Sequence, residues 1–347
     1  MGVGAVRPHY CRAMTLIAEP RTAPALRWGI LGAGNIAGSF TDALHAETAS
    51  RAVAVGSRNP ERGARWAAQH GVETVHDSYE ALVGDPQVDV VYVATPHSEH
   101  REHALLAIAA GKHVLVEKAF TRNVAEAREV LDAAQAAGVF VMEAMWTRFL
   151  PHVQALHQVI DSGEIGEVVA LFADHGQAFP LDPSSRLFAP ELAGGALLDL
   201  GVYPVSFAHD LLGVPRSVTA VGQLTSTGVD GQIGMVLDYG ERTQATLSTT
   251  LWARTPTTAA ITGTDGAITV EGAFYAPSSF SVHRRDGRVW TFERPTPRGL
   301  QFEAAEVARR IAEGATESPR MTWQQTLDVL ATMDAVREQI GVRYPGE

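Results

Sequence analysis

Short apolar runs alternate with alanine-rich stretches between residue 26 and about residue 141, and this alternation constrains the fold more than any other feature of the chain. The apolar runs are continuous instead of alternating with polar residues, which is typical of strands buried on both faces of a sheet. The predicted strands are 26–32, 52–57, 88–95, 113–118 and 139–143, and the predicted helices between them are 36–47, 60–70, 99–110 and 123–137. Because strands that alternate with helices form βαβ units, the pattern predicts a doubly wound parallel sheet.

The sequence after about residue 146 changes in character. It begins with a predicted helix at 151–162 and a predicted strand at 167–175, and a second helix is expected near Gly195, with a kink or break at Pro204. Between 216 and 295, threonine, valine and glycine dominate, and the turn signals are Asp230-Gly231, Tyr239-Gly240, Asp265-Gly266 and Asp286-Gly287. This spacing predicts consecutive antiparallel strands joined by hairpins, followed by helices in the last part of the chain.

The length of the chain, 347 residues, is typical of about two domains. We predict a first domain at 26–145 and a second at 146–347, whose C-terminal helices pack back on the first. Residues 1–25 are expected to be an extension or disordered, and both Met1 and Met14 are candidate starts.

Charge and cysteine content exclude several function classes. The formal net charge of −11 argues against non-specific binding to nucleic acid, which requires clustered basic surface. No uninterrupted apolar run reaches the length of a membrane span. Cys11 is the only cysteine, so an internal disulfide is impossible and a reducing, cytoplasmic location is expected.

The segment GILGAGNIAG contains a G-x-G-x-x-A motif, formed by Gly32, Gly34 and Ala37. It follows a predicted strand and opens a predicted helix, which is the context in which this motif binds dinucleotides. The first glycine permits a tight turn, and the second lets the backbone approach a pyrophosphate at the helix N-terminus, where Asn35 and Ile36 lie. The alternative is a strand-to-helix turn without a ligand.

The next predicted strand ends at Ser57 and Arg58, where enzymes specific for NAD usually carry Asp or Glu for the ribose 2′-hydroxyl. A carboxylate would repel a 2′-phosphate, whereas the guanidinium of Arg58 can bind one in bidentate fashion. Arg62 follows one helical turn later. The pattern therefore favours NADP, with NAD as the alternative cofactor, unless both arginines are solvated surface charges.

Three further segments carry a resemblance to a known family: TPHSEH (95–100), EKAF (117–120) and GGALLDLGVY (194–203). Together with MEAMWTRFLP (142–151), they make the chain resemble the Gfo/Idh/MocA oxidoreductases from about residue 27 to residue 340. Within that family it most resembles the branch of dimeric dihydrodiol dehydrogenases and NADP-dependent D-xylose dehydrogenases. The resemblance implies a Rossmann domain and an α+β domain with a largely antiparallel open sheet. One face of that sheet often serves in oligomers, so a homodimer or homotetramer is expected.

The resemblance also implies roles for individual residues. It places Lys118 beside the nicotinamide and the substrate, at the lysine of the family's Glu-Lys-Pro motif, and it places Asp199 and Tyr203 at the acidic and proton-transfer positions. Trp146 resembles an aromatic wall of the substrate pocket. The implied cofactor contacts are Gly32, Gly34, Asn35, Ile36, Ser57, Arg58, Arg62, Thr95, Pro96, His97, His100, Glu117 and Lys118.

Position 119 departs from the family pattern, because alanine stands there where relatives usually have proline. If that proline sets a cis peptide bond, alanine makes the bond costlier, since a non-proline cis peptide costs about 2.5–4 kcal/mol. We therefore expect the loop to relax and the position of Lys118 to change with it.

The residue types at positions 118, 199 and 203 favour the same chemistry. A buried lysine can lose its proton whereas an arginine stays charged, and Lys118 is one of only two lysines beside 26 arginines. Asp199 and Tyr203 are four residues apart and share a face of a helix. A nearby ammonium lowers the pKa of a tyrosine from about 10, so we expect Lys118 to prepare Tyr203 for proton transfer. No metal is required, because the nicotinamide supplies the redox chemistry. His97 and His100 lack an accompanying carboxylate or cysteine cluster, so cofactor contact or a role at a helix N-terminus is expected of them.

The sequence thus predicts an NADP-dependent dehydrogenase that takes hydride from an aldose, a cyclic polyol or a trans-dihydrodiol. Two other function classes stay open: an NAD-dependent glycosidase of the same fold, and a non-catalytic sensor that binds NADP. The individual residues also have alternatives. Lys118 can be a surface lysine, Tyr203 and Trp146 can be core residues, and Asp199 can cap a helix or pair with an arginine.

Overall fold

The first half of the chain forms a six-stranded sheet in a computed structural model, which describes residues 18–347. Its strands are β1 (Arg27–Leu31), β2 (Arg51–Gly56), β3 (Thr74–His76), β4 (Val90–Val93), β5 (His113–Glu117) and β6 (Val141–Ala144). They lie in the order β3-β2-β1-β4-β5-β6, and every neighbouring pair is parallel. The predicted doubly wound parallel sheet is confirmed, and β3 is an additional short strand at its edge.

Five helices connect these strands: α1 (Asn35–Glu47), α2 (Pro60–His70), α3 (Tyr79–Val83), α4 (His100–Ala109) and α5 (Val124–Ala137). The start of α2 shows why the local sequence forms a helix there. The side chain of Asn59 accepts the N–H of Arg62 at 2.9 Å, and Pro60 stands in the first turn, where a missing N–H leaves no hydrogen bond unmade. The four predicted helices are present, and α3 is an addition of five residues.

The central strands of this sheet are buried on both faces. Each residue of β4, Val90–Val93, is 0% exposed, and burying such a side chain contributes about 1.5–3 kcal/mol. The requirement for apolar side chains on both faces explains the continuous apolar runs of the sequence. The polar segments that follow β1, β2, β4 and β5 all emerge at the carboxyl edge of the sheet.

The second half of the chain forms an eight-stranded sheet. Its strands are β7 (Val168–Gly176), β8 (Ser217–Leu224), β9 (Asp230–Asp238), β10 (Gln244–Thr250), β11 (Ala259–Gly263), β12 (Gly266–Val270), β13 (Phe280–Arg284) and β14 (Val289–Phe292). The order is β14-β13-β12-β11-β7-β10-β9-β8, and all neighbours are antiparallel except β7 and β10. The predicted largely antiparallel sheet is therefore confirmed.

The hairpin turns agree with the sequence at three of the four predicted places. Tyr239-Gly240, Asp265-Gly266 and Asp286-Gly287 lie where β9, β11 and β13 connect to the next strand. The turn predicted at Asp230-Gly231 is wrong, because both residues belong to β9 and Asp230 is fully buried. The turn lies just before them, where the N–H of Thr225 donates to the carbonyl of Val229 at 2.8 Å.

The remaining helices are α6 (Pro151–Asp161), α7 (Val202–Leu212), α8 (Leu300–Ala312) and α9 (Trp323–Ile340). A π-helical turn, Leu197–Gly201, leads directly into α7. The break expected at Pro204 is not observed there, because this residue lies in the first turn of α7, and the change of helix type comes before it. None of the helices in residues 18–347 is long and apolar enough to span a bilayer.

The C-terminal helices contact the first half of the chain. Helix α8 packs on α1, and α9 packs on α5. The indole N–H of Trp323 on α9 donates to the carbonyl of Val141 at 2.9 Å, which ties this helix to strand β6. The domain limits 26–145 and 146–347 stay a prediction.

Residues 18–25 have a defined conformation, so the predicted disorder does not reach them. Pro20–Thr22 form a short 3-10 helix, and Ala23 is buried against α8. The guanidinium of Arg309 on α8 donates to a carbonyl group of this segment at 2.8 Å. The rest of the predicted extension, including Cys11, falls in residues 1–17, which lie outside the described residues.

Candidate active site

A cavity of about 890 Å³ lies at the carboxyl edge of the six-stranded sheet, where open α/β sheets bind their ligands. Residues of the second half of the chain line its other side, and they include Asp199 and Tyr203. The lining from the first half includes every predicted cofactor contact, namely Gly32, Gly34, Asn35, Ile36, Ser57, Arg58, Arg62, Thr95, Pro96, His97, His100, Glu117 and Lys118. Folding thus brings the predicted cofactor and catalytic residues into one space.

The glycine motif forms a turn that requires glycine at its first position. Gly32 has a φ of +106°, and a Cβ there would lie 2.9 Å from the carbonyl oxygen of Ala94. A Cβ at Gly34 would meet no atom closer than 3.9 Å, so the backbone is accessible from the cavity. Helix α1 begins at the next residue, and the N–H groups of a helix N-terminus favour anions. The turn therefore fits a dinucleotide pyrophosphate.

The end of β2 presents cations and no carboxylate to the cavity. Ser57 is buried, and its hydroxyl makes a hydrogen bond within the β2–α2 connection at 2.9 Å. The guanidinium carbon of Arg58 lies 5.8 Å from the ring centroid of Tyr79. The Nε of Arg62 donates to the carbonyl of Ala33 at 3.1 Å, which places its side chain across the glycine turn. This arrangement can bind an anionic group that enters from the cavity.

His97 and His100 contact the backbone of the loop that carries Lys118. A ring nitrogen of His97 lies 3.2 Å from the carbonyl of Lys118, and one of His100 lies 2.9 Å from the carbonyl of Ala119. Burial lowers the pKa of His97 to about 3 and that of His100 to about 4, so both rings are neutral at pH 7. Within residues 18–347, no three His, Cys, Asp or Glu side chains are grouped as ligands for a metal ion.

The loop after β5 contains a cis peptide bond between Lys118 and Ala119. The effect of alanine at position 119 on Lys118 stays a prediction. Buried carboxyl groups hold the backbone of this loop. Glu117 accepts the N–H of Lys118 at 3.2 Å, and Glu143 accepts the N–H of Phe120 at 3.1 Å. Burial raises the pKa of Glu117, and it raises that of Glu143 to about 7. Together with the two histidines, these groups define the position of Lys118.

The ammonium of Lys118 is enclosed in the cavity, since its side chain is 12% exposed. Its Nζ donates to the main-chain carbonyl of Asp199 at 2.7 Å and lies 3.5 Å from the carboxylate Oδ1. Arg186 donates to the same Oδ1 at 3.1 Å. Burial alone would raise the pKa of Asp199, but the two neighbouring cations hold it well below its usual value. Asp199 is therefore a carboxylate that binds a lysine and an arginine together.

The phenol of Tyr203 faces the same space, and the ammonium of Lys118 lies 4.9 Å from the centroid of its ring. The ring stacks on Tyr275 with centroids 4.4 Å apart. Burial raises the pKa of Tyr203 well above its usual value, and the carboxyl group of Glu117 raises it further, while a hydrogen bond from Trp146 lowers it. The net shift of this pKa is therefore upward, opposite to the direction expected from the sequence, because the cost of burying a phenolate dominates.

Trp146 lies behind the wall of the cavity instead of forming it. Its ring centroid is 6.3 Å from that of Tyr275, and a Cβ at Gly299 would come within 2.6 Å of its ring. Tyr275 lines the cavity and lies between Tyr203 and His175, with ring centroids 4.4 Å from each. Contact of Trp146 with the substrate stays a prediction.

The sequence did not predict several residues on this side of the cavity, which are His175, Gln177, Phe179, Arg186, Leu187 and Tyr275. Burial lowers the pKa of His175 to about 4, and its Nδ1 lies 3.2 Å from the carbonyl of Leu200. The polar residues His175 and Gln177 at the end of a strand were a signal that could have been recognised. Tyr275 lies in a loop and gave no comparable signal.

Two family models match the chain. A model described as an oxidoreductase family with an NAD-binding Rossmann fold matches residues 26–145. A model of the GFO/IDH/MocA C-terminal domain matches residues 153–269. The two models therefore account for most of both sheets.

Known proteins resemble the chain over nearly its whole length. Trans-1,2-dihydrobenzene-1,2-diol dehydrogenase of Xenopus laevis is 36% identical over 331 residues, which cover 92% of this chain and 100% of that protein. D-xylose 1-dehydrogenase (NADP(+)) of Hypocrea jecorina is 35% identical, covering 92% of this chain and 93% of its own. A crystal structure of KijD10, a 3-ketoreductase from Actinomadura kijaniata in complex with NADP and TDP-benzene, has a TM-score of 0.82 at 28% identity and covers 91% and 98% of the two chains. The resemblance inferred from the sequence is confirmed.

Proposed function

We propose, from the premise that this chain belongs to the Gfo/Idh/MocA family of NAD(P)-dependent oxidoreductases, that it transfers hydride from an aldose, a cyclic polyol or a trans-dihydrodiol and prefers NADP. It is an enzyme that acts on CH–OH groups. One observation carries the finer proposal: Lys118, Asp199 and Tyr203 line the same cavity as the glycine turn. A cofactor held at that turn and a substrate held by the three side chains would therefore be neighbours.

The three side chains have different roles at the substrate oxygen. When bound, the nicotinamide supplies the hydride chemistry, accepting hydride from the substrate carbon as its C–OH becomes a carbonyl. Lys118 donates a hydrogen bond to the substrate oxygen, and Asp199 orients the ammonium through its carbonyl and carboxylate. In the oxidation Tyr203 accepts the hydroxyl proton as a phenolate, and in the reverse reaction its phenol donates that proton to the carbonyl oxygen. Because burial keeps Tyr203 a neutral phenol in the free protein, this form suits donation of the proton when a carbonyl is reduced.

The preference for NADP is supported by the end of β2. Ser57 stands where an acidic residue would bind the ribose 2′-hydroxyl, and Arg58 and Arg62 line the cavity beside it. Two guanidinium groups near a 2′-phosphate would make charge-assisted hydrogen bonds that NAD cannot make. NAD remains the alternative cofactor, because the glycine turn can bind the pyrophosphate of either NAD or NADP.

The substrate class is supported by the aromatic side of the cavity. Tyr275 lies between the rings of Tyr203 and His175, and such surfaces pack well against the C–H face of a sugar or cyclic diol. Gln177 and Arg186 add hydrogen-bond donors to the same lining. This combination of rings and donors favours a substrate that is a hydroxylated ring.

A panel of aldoses, cyclitols and cyclic diols, assayed with NADP and with NAD by the absorbance of the reduced cofactor, tests the function. We expect reduced cofactor to form with at least one substrate class and at higher kcat/KM with NADP. Release of an intact sugar from a glycoside without net change in absorbance would indicate a glycosidase. Cofactor binding without hydride transfer to or from any compound of the panel would indicate a sensor.

We also propose that the outer face of the eight-stranded sheet joins copies of this chain in a homodimer or homotetramer. Phe172 on β7, Thr246 on β10 and Val236 on β9 pair in register, so they form one row across this face. Phe172 is 49% exposed and Val236 is 38% exposed, and Val221 on β8, at 69%, extends the patch. Exposed apolar residues within a polar sheet face are typical of an interface between proteins.

Phe172→Asp should dissociate the oligomer, because a carboxylate in this row would be buried in the interface without a partner. Light scattering coupled to size-exclusion chromatography should then show a mass near the 37.1 kDa of one chain. Val214→Asp is the matched control, since Val214 is 60% exposed in the loop after α7. A protein that is monomeric without substitution, or an oligomer unaffected by Phe172→Asp, would contradict this assembly.

The single cysteine of the chain supports a cytoplasmic location, which we also propose. A reducing compartment suits a protein that cannot form an internal disulfide. Fractionation of the source cells, with the activity assay above as the marker, would locate it.

A further inference from the structure

We propose that Asp230 is a positioning residue, which fixes the start of the helix that carries Asp199 and Tyr203 by accepting the N–H of Leu197. Its effect on turnover rests on the proposed function, whereas its effect on the helix does not. Asp230 is the first residue of β9, a strand that contributes no residue to the lining of the cavity. Its hydrogen bond to the N–H of Leu197 gives it a direct connection to the helix whose residues do line the cavity.

Asp230 can reach the helix because residue 195 is glycine. Its Oδ2 lies 2.6 Å from the N of Leu197, and the carboxyl group is 0% exposed. Gly195 has a φ of +119°, and a Cβ there would lie 2.2 Å from Oδ1 of Asp230. A side chain at 195 would thus displace the carboxyl group. This close approach gives a physical reason for the second glycine of the GGALLDLGVY segment.

A carboxylate is suited to the beginning of this helix. The first N–H groups of a helix have no partner within it, and a side-chain acceptor satisfies one of them. The dipole of the helix also favours a negative charge at this end. The π turn Leu197–Gly201 contains Asp199, and α7 with Tyr203 follows without interruption. A shift of the first turn would therefore move both side chains relative to Lys118.

Other groups hold the chain just before the helix. The hydroxyl of Tyr344 donates to the carbonyl of Gly194 at 2.7 Å, and the N–H of Gly195 donates to the carbonyl of Leu187 at 2.9 Å. These contacts define the path of the incoming loop. The carboxyl group of Asp230 instead binds Leu197, two residues further along the chain and within the helix itself.

The charge of Asp230 changes close to neutral pH. Burial raises its pKa to about 6, although the N–H of Leu197 and the guanidinium of Arg337 act in the opposite direction. Tyr344 is the other titratable group that faces it, and burial, followed by the charge of Asp230, raises the pKa of that phenol well above its usual value. Above pH 6 the cap is a carboxylate, and below it the cap is a neutral carboxyl that binds the N–H more weakly. Turnover should therefore decline as pH falls through this value.

The test compares Asp230→Asn with Asp238→Asn. Asp238 lies on the same strand and also accepts a backbone N–H, that of Gly240 at 2.9 Å, but in a hairpin outside the cavity lining. At a pH well above the pKa of Asp230, we expect Asp230→Asn to lower kcat by about 10- to 100-fold without changing cofactor affinity, because a displacement of about 1 Å has effects of this size. We expect Asp238→Asn to leave both unchanged. Asp230→Asn should remove the part of the acid limb near pH 6, whereas the titration of Glu143 near pH 7 is common to both proteins.

Hydrogen–deuterium exchange provides a readout that does not depend on turnover. Faster exchange of the amides in Leu197–Gly201 in Asp230→Asn but not in Asp238→Asn supports the proposal. Faster exchange of the same amides in the unsubstituted protein below pH 6, after correction for intrinsic rates, also supports the proposal. This second measurement needs no variant. Unchanged exchange in both comparisons overturns the proposal, as does a pH–rate profile shared by Asp230→Asn and the unsubstituted protein. If no compound of the panel is turned over, the proposed function fails and the exchange data still decide the role of Asp230.

Discussion

Lys118→Met is expected to abolish turnover while NADPH affinity stays close to that of the unsubstituted protein. Methionine has a similar length but removes the ammonium, which donates to the carbonyl of Asp199 at 2.7 Å and is proposed to hold the substrate oxygen. A positioned group that stabilises charge or transfers a proton contributes about 10²- to 10⁴-fold to a rate, so we expect a loss of about a thousandfold. Initial rates from the absorbance of the reduced cofactor and a fluorescence titration with NADPH measure the two quantities.

Lys112→Met is the matched control, because Lys112 is the only other lysine of the chain. Its Nζ donates to the carbonyls of Asp85 and Val88 at 2.9 and 2.7 Å, and it does not line the cavity. This variant should keep full turnover. Near-normal turnover of Lys118→Met would refute the catalytic role. A parallel loss of NADPH affinity would instead show that Lys118 serves mainly to hold the cofactor.

Arg58→Ala is expected to weaken NADP binding about 10- to 100-fold and NAD binding much less, because a hydrogen bond to a charged group contributes about 1.5–3 kcal/mol. The guanidinium of Arg58 lies over the ring of Tyr79, both residues line the cavity, and the end of β2 presents no carboxylate there. The dissociation constants of both cofactors should be measured at one fixed ionic strength, since salt screens exposed charges.

Arg65→Ala separates a specific contact from a general effect of charge. Arg65 lies on α2 near Arg62, but its side chain is 74% exposed and pairs with Glu61 at 3.7 Å. Its removal changes the net charge as much as the removal of Arg58 does, so the NADP-to-NAD ratio should stay the same. An equal loss of both cofactors in Arg58→Ala would count against recognition of the 2′-phosphate by this residue.

The first sheet was predictable because the physical requirement on each central strand is local. A strand buried on both faces must be apolar at every position, as Val90–Val93 are, and such runs are visible in the sequence. Strand β3 does not meet this criterion and was not predicted, because Thr74–His76 lie at the edge of the sheet and are held by backbone pairing with β2. The turn assigned to Asp230-Gly231 failed for a related reason: the buried carboxyl group binds a helix far away in sequence.

The cofactor side of the site was predictable to a similar degree. Its residues directly follow strands, and a parallel sheet brings the carboxyl ends of those strands to one edge. The substrate side was not, because Arg186 and Tyr275 come from loops whose sequences show no periodicity. Trp146 was the aromatic residue expected from the sequence at the substrate, whereas the aromatic residue that lines the cavity beside Tyr203 is Tyr275, which lies in a loop far along the chain.

Order along the chain was enough to indicate the parallel sheet, the glycine turn and the three residues that we propose act on the substrate, because each was identified from a local segment of sequence. The charges in the site depend on neighbours in space. Asp199 is a carboxylate because Lys118 and Arg186 converge on it, and Tyr203 is a neutral phenol because it is buried near Glu117. Desolvation and Coulomb energies follow from distance and burial, which a linear sequence does not contain.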